Sequence, residues 1–193
     1  AIFKSEHEKE DIDNFIDINI KYPTKILEAM KQCGIKNFIN TSTAWQHYNN
    51  EDYNPVCLYA ATKESFEKII DYYAKGVKFK CISLELFDSY GDNDTRGKLI
   101  SVLKDLVYGF IKAIEFLNDI EYGEHRKYAI CTGRVLTLKE VIEIFEEKTG
   151  YKLNVEWGAR HYREREIMKP WDRYEILPNW KSEITFEDGV TMI

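Results

Sequence analysis

Apolar residues recur at helical spacing from Asp11 to Gly34, with Phe15, Ile18, Ile26, Leu27 and Met30 in the repeat and Gly34 placed to stop the helix. A compact apolar run, "IKNFINTST", follows at once and predicts a strand. The order then repeats, with "NPVCLYAATKESFEKIIDYYAKG" as a helix ending at Gly76 and "FKCISLELF" as the next strand. "YAICTG" reads as a further strand, and "TLKEVIEIFEEKTG" as a helix in which Thr137 and Glu140 form a capping box and Gly150 closes the far end. Helices alternating with compact apolar strands predict an α/β fold, a parallel sheet covered by helices on both faces. Ligands of such sheets sit outside the carboxyl ends of the strands. That singles out Thr41, Ser42 and Thr43 after one strand, and Phe87 and Asp88 after the next. From Trp157 to Ile193 the pattern turns aromatic-rich and irregular around "ARHYRERE", which predicts a small appended subdomain.

Composition narrows the partners. The 193 residues are 44% hydrophobic and 31% charged, enough for one globular domain or two small ones. The net charge of -6 is spread through mixed-sign stretches such as "SEHEKEDIDN", which argues against nucleic acid as a partner. Cys33, Cys57, Cys81 and Cys131 form no C-x-x-C pair, so neither a disulfide framework nor a zinc site is expected, and a reducing cytoplasm fits. No apolar run approaches the roughly 20 residues of a membrane helix, and no membrane partner is expected. His47 and His161 read as exposed loop residues, and no metal site is expected.

The candidate chemistry lies in "LYAATKESFEKII", where Tyr59 and Lys63 are four apart on one helix face. An ammonium beside a phenol favours the phenolate, bringing its pKa from about 10 toward the range of a working general acid or base. Spacing alone is weak, because Tyr108 and Lys112 repeat it. Context separates the two: a strand ending in "NTST" precedes Tyr59, and only "SVLKDLV" precedes Tyr108.

With these residues in view, the sequence resembles the extended short-chain dehydrogenase/reductase family of nucleotide-sugar epimerases, dehydratases and ketoreductases. "NFINTSTAWQHY" followed by "NPVCLYAATK" looks like that family's strand with a Ser/Thr and then its Y-x-x-x-K helix. "LELFDSYGDND" is similar to its next strand and turn, and "DINIKYPTKILEAMKQCGIKNF" to its preceding helix, with Asn19 in the asparagine slot. The resemblance implies that Thr43 hydrogen-bonds the reacting oxygen of the substrate and that Tyr59 is the acid/base. It implies that Lys63 holds the nicotinamide ribose and the charge on Tyr59, and that Asn19, Thr43, Tyr59, Lys63 and Phe87 line NAD or NADP. Asp88, where many members carry asparagine, would touch substrate. Arg163 would anchor the diphosphate of a nucleotide sugar, since arginine offers it a bidentate fork.

Members that eliminate water resemble one another in carrying Asp-Glu after the threonine; here Ala44 and Trp45 stand there, which leaves a reductase or an epimerase. The residues after Thr43 look most like those of 4-ketoreductases of deoxysugar pathways, such as CDP-abequose synthases. A 4-epimerase would use the same residues, and a non-catalytic NADP-binding regulator would keep the fold but not the three catalytic groups. The resemblance also implies a homodimer. Its Gly-rich phosphate turn is absent, and "AIFKSE" is similar to the end of the fourth strand, so the first strands of a Rossmann-like sheet are expected to lie outside the sequence. Residues 1–90 and 105–133 would form the NAD(P)-binding part, and 91–104 and 134–193 the substrate-binding subdomain. The compressed stretch "RGKLISVLKDLVYGFIKAIEFL" further predicts chain breaks after Lys104 and after Tyr108.

Overall fold

The computed structural model describes residues 1–87, 103–159 and 161–191. Asp88 and nearly all of the 91–104 segment lie outside the described residues. A 3-10 turn at Lys9–Asp11 leads into α1 (Ile12–Ile16), a π-turn at Asp17–Lys21 and α2 (Tyr22–Gln32). The expected single helix therefore carries a π-bulge, which periodicity alone does not reveal. Then come β1 (Asn37–Thr43), α3 (Leu58–Val77), β2 (Lys80–Leu86), α4 (Leu103–Phe116), β3 (His125–Ile130), α5 (Leu138–Thr149) and α6 (Phe186–Thr191).

The three strands run parallel in the order β1-β2-β3, in register from Asn37 opposite Lys80 to Thr43 opposite Leu86. Helices cover both faces. On one side Leu27 of α2 and Phe66, Ile70, Tyr73 and Ala74 of α3 pack with Phe79 and Cys81, with Phe38 of β1 against them. On the other, Ala113 and Leu117 of α4 pack with Ile82, Leu84, Tyr128 and Ile130. The α/β reading thus stands, with a sheet of three strands among the described residues.

Alternation along the strands divides the face under α3. Phe38 and Cys81 lie beneath the far half of that helix. Toward the carboxyl ends the same rows continue as Asn40, Ser42, Ser83 and Glu85, all buried. Parallel strands covered on both faces are normally near-continuous apolar runs. Here α3 rests its first turns on a polar floor and its last turns on an apolar one.

Two local expectations change. Gly76 is inside α3, and the left-handed stop falls on Lys78 with φ 64°. The helix α4 runs unbroken from Leu103 to Phe116, so the breaks predicted after Lys104 and Tyr108 are not there. Tyr108 and Lys112 are truly one turn apart, with the ammonium 5.2 Å from the ring centre. Their helix is held by its apolar side, and Gly109 is the point of approach: a methyl added there would run into Ile130. The capping box forms as the sequence indicates, Thr137 Oγ1 accepting from the Glu140 amide at 3.3 Å and Glu140 Oε2 accepting from the Thr137 amide at 2.7 Å.

The C-terminal segment adds to the sheet edge. Ile176 bridges Ala129 in parallel, and the amides of Ala129 and Leu177 complete the pairing. Beyond it, Asp105 of α4 receives Ser182 Oγ at 2.6 Å and the amides of Glu183 and Ile184 at 3.2 and 3.1 Å.

Candidate active site

Thr43 is the last residue of β1, at the carboxyl edge, and is buried. Its backbone is extended, and its hydroxyl accepts from the Trp45 amide at 3.3 Å, turning the chain into a short 3-10 segment, Ala44–Gln46. Cys57 caps α3 in extended conformation, so Tyr59 falls in the first turn and Lys63 one turn later. Tyr59 is half-buried, and Phe3 meets it edge-on at 5.0 Å. Phe3 also meets Trp45 edge-on at 5.3 Å, so one aromatic ring joins the residue after the strand to the one that opens the helix. Arg163 comes from the far end of the chain to lie 5.2 Å from the Trp45 ring centre. The structure thus draws Thr43, Tyr59 and Arg163 toward one aromatic cluster, with Lys63 buried a turn behind.

Electrostatics distinguish these groups. Burial pushes the Lys63 ammonium below its usual pKa, and the Glu67 carboxylate works the other way. Among the described residues no hydrogen-bond acceptor is seated on Lys63. Arg163 is held by Glu166, at 2.5 and 3.1 Å through two guanidinium nitrogens, and that pairing raises its pKa. Burial raises the Cys57 thiol, against the amides of Ala60 and Tyr59 and the charge of Arg163. Phe87, after β2, packs edge-on against Tyr174 at 5.1 Å.

Asn19 occupies the π-turn and is almost fully buried. Its amide donates to the Ile2 carbonyl at 3.0 Å and to Thr62 Oγ1 at 3.1 Å, and its oxygen accepts from the Ile2 amide at 2.7 Å. A π-bulge is often found where a helix serves a site. Here it fastens the segment carrying Phe3 to the helix carrying Tyr59.

His47 is not an exposed loop residue. It is buried, stacked on Trp171 at 4.0 Å, with Nε2 3.3 Å from Glu85 Oε1 and Nδ1 3.0 Å from the Glu51 carbonyl. Nothing near it in sequence announces a tryptophan more than a hundred residues away. Burial would lower its pKa, but the hydrogen bond and charge of Glu85, with the backbone of Glu51 and Asp52, together outweigh burial and raise it. Around it residues 163–173 clasp the loop after β1. Asn50 and Asp172 exchange hydrogen bonds at 2.6 and 3.1 Å, Arg173 donates to the Asn50 carbonyl at 2.5 Å, and Arg165 bonds Asn54.

A second constellation has the order of a hydrolytic triad. Ser83 Oγ is 2.8 Å from His125 Nε2, and His125 Nδ1 is 2.8 Å from Asp71 Oδ1. Such distances suit a nucleophile, base and orienting acid. Ser83, however, is wholly buried between strands and also bound by Asn40 at 3.0 Å, so no carbonyl can reach it. It is a structural relay.

A Rossmann-type half-sheet that gathers a threonine, a tyrosine and a buried lysine at one strand edge defines a class of nicotinamide-dependent oxidoreductase sites. The chain belongs to the NAD dependent epimerase/dehydratase family, whose model matches residues 1–147. It is 29% identical over 194 residues to the CDP-abequose synthase of Yersinia pseudotuberculosis, covering 89% of this chain and 68% of that one. Among solved structures it is similar to UDP-N-acetylglucosamine 4-epimerase from Methanobrevibacter ruminantium in complex with UDP-N-acetylmuramic acid, with a TM-score of 0.77, 17% identity and coverage of 94% and 69%. RMD from Pseudomonas aeruginosa complexed with NADPH gives a TM-score of 0.72 at 14% identity, with coverage of 98% and 77%. The family depends on NAD or NADP, and the chemistry of the donor set fits it: a buried ammonium with N–H donors to spare, one helical turn from a phenol, suits ribose hydroxyls. Among the described residues no helix is long and apolar enough to cross a membrane.

Proposed function

We propose that the protein is an NAD(P)-dependent nucleotide-sugar oxidoreductase that reduces the 4-keto group of a CDP- or dTDP-linked deoxysugar. The observation that carries this reading is the joint placement of Thr43 at the end of β1 and Tyr59 in the first turn of α3, with Ala44 and Trp45 where elimination would need a carboxylate pair. Its likeness to the CDP-abequose synthase supports the ketoreductase side of the family.

The cofactor, when bound, supplies a hydride. Thr43 donates its hydroxyl to the oxygen on the sugar's C4, and Tyr59 gives that oxygen its proton. Lys63 binds the ribose hydroxyls and favours the phenolate left on Tyr59 by its positive charge. Asn19 serves the cofactor side by anchoring the segment that carries Phe3, and Phe87 lines the same edge. Asp88 and Arg163 bind substrate, the arginine exchanging Glu166 for the diphosphate. Residues 1–90 and 105–133 form the cofactor part, and 91–104 and 134–193 the substrate subdomain. The protein works in the cytoplasm as a homodimer paired through α2 and α3, where Tyr22, Ile26 and Tyr72 are exposed.

The test mixes the full-length protein with NADPH and CDP- or dTDP-4-keto-deoxysugars and follows nicotinamide absorbance. Oxidation is expected, and Tyr59→Phe should lower it by roughly 100-fold or more, the lower range for losing a general acid. Retained activity in that variant would remove the mechanism. No oxidation, with interconversion of a UDP-sugar, would make the protein a 4-epimerase; NADPH binding without any turnover would make it a regulator.

A further inference from the structure

Glu67 is fully buried, which an acidic side chain rarely is without a function or a partner. It lies one turn beyond Lys63 on the same face of α3, over the polar floor of the sheet. Lys127 of β3 forms an ion pair with it and also reaches Glu64 at 3.3 Å. The Ser42 hydroxyl faces Glu67 from the strand beneath but donates to Gln46 Oε1, at 3.1 Å. Ser42 immediately precedes Thr43. One carboxylate therefore shares a helix face with the lysine behind the tyrosine, above the strand that ends in the substrate hydroxyl.

We propose that Glu67, paired from below with Lys127, is a positioning residue for the Tyr59–Lys63 pair: it keeps Lys63 an ammonium inside a buried site. The proposal deepens the ketoreductase reading and rests on Lys63 serving Tyr59. The charged groups facing Glu67 are Lys63 and Glu64 on its own helix and Lys127 on β3, with neutral Ser42 on β1. Burial works against both members of the lower pair, raising Glu67 and opposing the Lys127 charge, yet Glu67 and Glu64 more than offset that for Lys127, whose pKa stands above its usual value. Among the described residues Lys63 has no comparable partner. Burial wins there, and Glu67 supplies the opposing charge.

The direct readout is the titration of Lys63 itself, followed by NMR of Cε in isotope-labelled lysine and assigned with Lys63→Arg. In Glu67→Gln the Lys63 titration should move down by about one pH unit, the lower range for losing an opposite charge at close quarters. The alkaline limb of NADPH oxidation should follow it with little change in KM. Glu67→Gln leaves half-buried Lys127 with Glu64 alone to balance it, so Glu67→Gln/Lys127→Gln is measured beside it as a variant that leaves no excess positive charge there; the same downward direction is expected. Glu67→Asp should recover the parent titration at least in part. An unmoved Lys63 titration in the folded double variant would overturn the proposal, and would do so whether or not Tyr59→Phe is inactive.

Discussion

The two buried histidines show how one residue type takes opposite settings from its neighbours. His47 is held above the usual imidazole pKa by Glu85, whereas burial takes His125 below it despite Asp71. For His125 the unfolded chain binds the proton more readily, so its contribution is present above about pH 6.5 and is lost as pH falls through the folded value. For His47 the folded chain binds it more readily, so its contribution is complete below about pH 6.5 and fades as pH rises through the folded value. His125→Gln should therefore cost about 1–3 kcal/mol at pH 7, through the strained or lost bonds to Ser83 and Asp71, yet lose less further stability than the parent between pH 7 and 5. Thermal melts across that range check both parts. The placement of Thr43 at a strand edge and of Tyr59 and Lys63 in the next helix is legible because strand, hydroxyl and helix follow one another in order. Glu67 was equally visible as the next residue on that helix face, but only its burial gives it meaning. Phe3 meets Trp45 and Tyr59, and Trp171 meets His47, across stretches of chain that local pattern cannot show, and Arg163 entered through the family resemblance alone.

At the scale of elements, period decided most of the fold. The runs at "IKNFINTST" and "FKCISLELF" became β1 and β2, and the helix between them fell where apolar spacing put it. The π-turn escaped because one extra residue within a helix leaves the composition unchanged. Gly76 misled because a left-handed cap was needed two residues later, at Lys78, and the chain supplied it at some conformational cost. The expected breaks in α4 failed for a packing reason: Leu106, Tyr108, Phe110, Ala113 and Leu117 form one continuous strip against Ile130 and Trp180. Gly109 permits that approach. Gly109→Ala should gain helix propensity but lose more by crowding Ile130 and Trp180, for a net destabilisation of about 1–3 kcal/mol measured by urea unfolding.

The molecule as a whole is tied together from its C-terminal end. Asp105 takes three hydrogen bonds from residues 182–184, and Trp180 Nε1 donates to its carbonyl at 3.0 Å. Asp105→Ala strips the acceptor from that hook and should cost about 2–4 kcal/mol, with earlier proteolytic cleavage near residues 181–185 than in the parent. The clasp of residues 163–173 over the loop after β1 has a different kind of consequence. It closes a circuit in which the stretch that offers Trp45 to the site and the stretch that offers Arg163 cannot loosen separately. Opening either one breaks the bonds of both, so their backbone amides should exchange with solvent as a single cooperative unit, and a ligand gripping only one end would slow exchange at the other.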